Sequence, residues 1–370
     1  MTPQVAEVVL HRVRLPLRAP HVAAHGREDT REVILVAVVD ADGTTGWGEC
    51  PTLAAPGYSS EWTDGAWWVL QRILVPQVVA PRGPVGVVGH PMASGAVRDA
   101  LLDLRLRQMG EGPAAALGPL ADRVRFGVAV GLVDDLDALA AAAERAVAAG
   151  AALLVLKIRP GWAVAPLAAV RRDHPTVAVA VDANGSFSAA DGDELAAVDA
   201  LGPAFIEQPL PADDLVGGAR AATALTAPVA LDEAVATRGD LEAAIALGAG
   251  RMLTVKAARL GGVEAAVEVA AHAARQGWQV HAGGMLESGL GRAAARVVAA
   301  RPEVTGPALV GPTQLLYAAD VVAPVRPDAD GMVAVPAGPG LAPEPDAELI
   351  DGLEVDRWRL DRRSPAPDLG

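Results

Sequence analysis

The chain has a single cysteine, Cys50, among 370 residues, so no internal disulfide can form and a reducing cytoplasm is the expected setting. Basic charge is also short: 31 Lys and Arg stand against 45 Asp and Glu, a formal net charge of −14. Nucleic acid and acidic membranes both call for a basic face, so neither is an expected partner. An anionic small molecule at a locally positive site stays open. No stretch reaches about 18 uncharged apolar residues, and no membrane span is expected. The opening MTPQVAEVVLHRVRLPL alternates like a strand and lacks the basic-then-apolar order of a signal peptide. No Gly-rich dinucleotide fingerprint follows the first strand, which speaks against an open nucleotide-binding sheet.

What is present is a globular composition, 51% hydrophobic and 21% charged, long enough for one large domain and a smaller one. Residues 4–16 and 31–50 alternate apolar with polar, and Asp42-Gly43 marks a hairpin turn. Residues 61–118 carry the 3.6 period of helices, in WWVLQRIL and ASGAVRDALLDLRLRQMG. The first 120 residues therefore read as a small α+β unit. Beyond them, short apolar strands at 126–131, 153–157, 177–182, 204–207, 228–232, 252–256 and 278–284 alternate with Ala-rich helices. Regular βα alternation implies a parallel sheet.

Those strands end on chemistry. Lys157, Asp182, Glu207, Asp232, Lys256 and His281 follow one another at separations of 25, 25, 25, 24 and 25. So even a repeat means similar βα units, each lending its last strand residue to one rim. In a closed barrel that rim is the face that carries active sites. Asp182, Glu207 and Asp232 would repel one another unless a cation lay among them, and an all-oxygen set suits a hard ion, Mg²⁺ first. Each acid alone could be an ordinary polar strand terminus; three in series point to a shared site. Lys157 and Lys256 bracket them. A free lysine titrates at about 10.4, and burial beside a divalent cation lowers that toward a useful base. Abstraction of a proton next to a carboxylate is the reaction class that follows. A lone lysine would more simply snorkel into solvent.

The set LKIRPGW, VDANGSF, FIEQPL, ALDEA, TVKAARLGG and HAGGMLESGLGR resembles the enolase superfamily. Within it the muconate-lactonizing subgroup is nearest, and there the o-succinylbenzoate synthase / N-succinylamino acid racemase family. GWGECPTLAAPGYSSEWTDGA and GHPMASGAVRDALLDLRLR extend the likeness into the N-terminal unit. The resemblance implies a (β/α)7β TIM-like barrel over residues 121–322. It implies an α+β capping domain built from residues 1–120 and a returning segment, 323–370. It implies Asp182, Glu207 and Asp232 as Mg²⁺ ligands, with Mn²⁺ as a possible substitute. Lys157 matches the catalytic lysine of the second strand, and Lys256 that of the sixth. A synthase would dehydrate 2-succinyl-6-hydroxy-2,4-cyclohexadiene-1-carboxylate for menaquinone biosynthesis, with Lys157 moving the proton and Lys256 stabilising the enolate. A racemase would use both lysines on opposite faces of an N-succinylamino acid. One protein can do both, and a homo-oligomer is expected.

The chain departs from the family's Lys-x-Lys motif, reading Val155-Leu156-Lys157. Without a neighbouring ammonium, Lys157 depends more on the ion and on burial to be neutral, and the pH optimum or the rate is expected to suffer. Val155 is the one feature that suggests a non-catalytic or damaged enzyme. Arg259 is either a compensating cation beside Lys256 or a surface arginine. Tyr58 resembles a lid residue, and His21 and His25 lie in a loop expected to belong to a lid. Asn184, in VDANGSF, is expected at the substrate. Leu286 matches a position in the succinyl pocket, where Gly283 and Gly284 let backbone N–H groups approach a carboxylate. Ala129 stands where relatives often carry serine. His281 is a rim residue or a substrate contact, and Cys50 a small buried residue. Dipeptide epimerases are a weaker match, because their Asp-x-Asp near the eighth strand is here GPTQLLY.

Overall fold

The computed structural model describes residues 5–23, 26–80, 86–133 and 135–363. Alternating residues near the N-terminus form three strands, β1 (Val5–Ala23), β2 (Gly26–Asp40) and β3 (Thr45–Cys50), with Asp42-Gly43 in the turn between the last two. The strand Glu354–Asp361 pairs antiparallel with the outer edge of β1, completing a four-stranded sheet. One face of β1 and β2, with Val8, Leu10, Ile34, Val36 and Val38 fully buried, packs against the helix Pro91–Met109. That helix starts on a proline and stops at Gly110 in the left-handed conformation, as helix-end chemistry favours. It lies so close to β3 that a Cβ on Gly48 would sit 2.0 Å from the Ala96 carbonyl oxygen, which explains the glycines flanking Trp47. β1 and β2 run further than the alternation foretold. His21 pairs with Glu28 inside the hairpin ladder rather than in a loop, and His25 lies outside the described residues.

A separate sheet of seven parallel strands follows, in sequence order from Gly127–Val130 to Gln279–Ala282. Its two edges are joined by one short segment: the Gly127 amide donates to the Ala308 carbonyl at 2.7 Å and the Leu309 amide to the Ala282 carbonyl at 2.8 Å. Side chains alternate across the sheet. Leu154, Leu156, Val179, Val181, Leu253 and Val255 face the surrounding helices, whereas Leu153, Val155, Ala180, Phe205, Ala230 and Met252 form a distinct inner cluster. Lys157, Asp182, Glu207, Asp232 and Lys256 continue that inner parity at the C-terminal ends. The pleat therefore turns all of them toward one space.

The two sheets are docked by acids. Glu49 of β3 accepts from the Ser288 and Gly291 amides at 2.9 Å each, at the start of the helix Gly289–Ala299. Asp99 accepts from the Val263 amide at 2.8 Å, at the start of the helix Val263–Arg275. Burial pushes the Asp99 carboxyl up to about 7 against its one backbone bond, with Glu264 and Asp103 adding repulsion. A raised carboxyl stabilises the fold fully below its unfolded value and loses that contribution as pH climbs through 7. Asp99→Asn keeps the acceptor and removes the charge. Its melting temperature should gain on wild type between pH 5 and pH 7, and the gap should stay constant above.

Candidate active site

Lys157 and Asp182 sit side by side in register, as do Asp182 and Glu207. The Lys157 amine donates to Asp182 Oδ2 at 2.6 Å and to Asn184 Oδ1 at 2.8 Å. Across the site, the Lys256 amine donates to Asp232 Oδ2 at 2.6 Å and to the Tyr58 hydroxyl at 2.8 Å. Each lysine is thus locked on an outer carboxylate, with Glu207 between them. A Cβ on Gly283 would lie 2.9 Å from Lys256 Cε, so this glycine makes room for the lysine's stem.

Electrostatics follow from this crowding. Burial raises the Glu207 carboxyl well above the usual carboxylate range, and the neighbouring Asp182 and Asp232 raise it further. Burial would raise Asp232 too, but the Lys256 and Arg259 cations hold it down to about 2. Burial alone would lower the Lys256 ammonium, yet Asp232, Tyr58, Glu233 and Glu207 together hold it well above its ordinary value. The expected lowered amine is therefore not what the carboxylates alone produce; it requires a cation that takes up their charge.

Would these acids fit such an ion? Among the described residues, no three His, Cys, Asp or Glu side chains stand close enough to clasp one as placed. The chemistry of the donors does fit. Glu207 Oε2 and Asp232 Oδ1 are buried with no hydrogen-bond partner, and the acids around Glu207 repel. A hard divalent cation could be held by Asp182, Glu207 and Asp232 once Asp182 and Asp232 release their lysines.

Lys157, Lys256, Tyr58, Asn184, Gly284 and Leu286 line a single cavity of about 50 Å³, joined by His21, Leu53 and Met285. Ala129 is not there. It lines an adjoining, mostly apolar chamber of about 50 Å³ that shares Gly284 and Leu286 with the first. Leu286 adopts φ 54°, a left-handed conformation costing an ordinary side chain roughly 1–2 kcal/mol. Arg259 is buried rather than on the surface, donating to the Asp232 and Val235 carbonyls at 2.7 and 2.9 Å and lying 5.6 Å from the Tyr58 ring centre. His281 pairs with Thr254, one layer below the rim, and is outside the lining of the lysine cavity. It is 1% exposed, its ring lies tilted 5.1 Å from that of Phe205, and burial lowers its imidazole to about 4. Cys50 is fully buried in the first sheet's core, where burial raises its thiol. Val155 belongs to the inner apolar cluster directly beneath Lys157.

Two neighbours escaped the sequence reading. Glu233 accepts from Asn184 Nδ2 at 2.9 Å and so orients the amide that meets Lys157. Gln208 Oε1 accepts from the Asp232 amide at 3.0 Å, fixing that strand end. Each follows a strand-end acid immediately, and that adjacency was the available signal.

A family model described as enolase C-terminal domain-like matches residues 138–349. A member of the enolase superfamily from Listeria innocua superposes with a TM-score of 0.90 at 26% identity, covering 97% of this chain and 99% of its own. The fold is thus of the enolase class. An N-succinylamino acid racemase from an Amycolatopsis species is 38% identical over 94% of this chain and 97% of its own. An o-succinylbenzoate synthase from Geobacillus kaustophilus is 33% identical over 98% and 96%. The chain belongs to the o-succinylbenzoate synthase / N-succinylamino acid racemase family of the enolase superfamily.

Proposed function

We propose that the protein is a cytoplasmic, metal-dependent o-succinylbenzoate synthase, acting as a homo-oligomer on a small carboxylate bearing a succinyl group. Its residues 121–322 would form a (β/α)7β barrel, capped by residues 1–120 and 323–370. The pairing of Glu354–Asp361 with β1 and the bridge through Ala308 and Leu309 support that division. The observation that carries the functional reading is a pair of amines opening on one cavity, each against an acid, with a further acid between them.

A divalent cation on Asp182, Glu207 and Asp232, Mg²⁺ or Mn²⁺, would supply the positive charge that acidifies the proton next to a substrate carboxylate. Lys157, steadied by Asn184, takes that proton and returns it to the departing hydroxyl, so water leaves and the ring becomes aromatic. The Lys256 ammonium, steadied by Tyr58, balances the enolate charge from the other side. Leu286 and the adjoining chamber receive the succinyl arm.

N-succinylamino acid racemisation is the second reading, favoured by the same pair of amines: each can serve one face of an α-carbon. Purified protein with Mg²⁺, assayed on both succinyl substrates, decides. Dehydration without racemisation supports the first reading, and racemisation with negligible dehydration the second. Absence of both activities with Mg²⁺ and with Mn²⁺, in folded protein that takes up the ion, would falsify both.

A further inference from the structure

We propose that Arg31 and Tyr317 are positioning residues that set the Leu286 turn, and through it decide which acyl arm the cavity accepts. The inference rests on the functional reading above. Leu286 is the wall shared by the two chambers. Its left-handed backbone is disfavoured for leucine, so the turn must be held from outside.

The ties come from distant parts of the chain. The Tyr317 hydroxyl donates to the Leu286 carbonyl at 2.6 Å. Arg31 Nε donates to that same oxygen at 3.3 Å, and Nη2 donates to the Met285 carbonyl at 2.9 Å and to the Pro51 carbonyl. Nη1 pairs with Glu28 at 3.2 Å. Arg31 is 0% exposed and Tyr317 1%. Burying an arginine with one acid and several carbonyls is costly, and it secures a rigid planar fork on a single turn.

Neither residue lines either chamber, so neither touches a ligand there. Arg31 lies on β2, whose far end pairs Glu28 with His21 at the cavity wall. Tyr317 bridges to Leu17 of β1. The hairpin and the turn are therefore held by the same contacts. Lys157 and Lys256 end other strands and are not held by them.

Tyr317→Phe removes one hydroxyl and little else. The experiment compares wild type and Tyr317→Phe, with Arg31→Lys as a second variant that keeps charge but loses the fork. N-succinyl, N-acetyl and N-glutaryl forms of phenylalanine are titrated by calorimetry with Mg²⁺ present, and racemisation and α-proton exchange in deuterated water are followed. Tyr317→Phe should reduce the succinyl-over-acetyl preference about tenfold, one hydrogen bond's worth, and mostly in KM or Kd. Exchange at saturation should stay within about threefold, since neither amine moves. Mg²⁺ uptake should match wild type.

An unchanged acyl preference in folded Tyr317→Phe overturns the proposal and leaves the functional reading standing. An equal loss on all three acyl forms, tracking a lower melting temperature, also overturns it, because that is the mark of a merely structural residue. Wild type that binds none of the acyl forms overturns this inference, and the functional reading falls with it only if that protein also fails to dehydrate the succinyl-hydroxycyclohexadiene carboxylate.

Discussion

Lys157→Ala should lose turnover by about a thousandfold or more, the scale of a positioned proton-transfer group, while the protein stays folded and takes up Mg²⁺ as before. No acid is removed by the change, and the amine that competes for Asp182 at 2.6 Å is gone. Racemisation provides a sharper check. In deuterated water the variant should still exchange the α-proton of the N-succinylamino acid hand that faces Lys256, and fail on the other. Turnover at the wild-type rate would remove Lys157 from the chemistry.

Glu207→Gln carries the second large effect. The middle acid is 1% exposed, has an unpartnered Oε2, and is raised by burial and by two neighbouring aspartates. A neutral amide of the same shape relieves that repulsion, so the ion-free variant should melt no lower than wild type. Calorimetry should nevertheless show Mg²⁺ binding weakened by at least about a hundredfold, because losing a ligand costs no less than losing its supports. Wild type should gain melting temperature on adding Mg²⁺, and the variant should not. A wild type indifferent to Mg²⁺ in both measurements would remove the ion from the reading.

Much of this site could be read from residue order. The strand Leu153–Lys157 has the bounds its apolar run implied, and the even spacing of charged strand ends anticipated a shared rim. That legibility has a physical basis: in a parallel sheet the pleat and a repeating βα length bring strand ends together without distant information. The rest depended on contacts between remote segments. Tyr58 reaches Lys256 across 198 positions of sequence, and Arg31 reaches Leu286 across 255. An isolated arginine in a β-ladder gives no hint of such a partner. His281 fits the spacing as well as any rim residue, yet it pairs with Thr254, one layer below Lys256, and its ring lies beside Phe205. Val155, which looked like a missing cation, occupies the fully buried inner layer where an ammonium would need its own counter-charge.

The outermost ribbon of the first sheet leaves a ribosome long after β1, the strand it completes. Until Glu354–Asp361 emerges, β1 waits with a bare row of amides and carbonyls on one side. Trp358 and Leu360, which pack against that sheet's core, arrive equally late. A nascent polypeptide cut short by a stop codon near residue 350 would therefore keep all five rim residues and still present a sticky flank. Its failure would be precipitation rather than faulty catalysis.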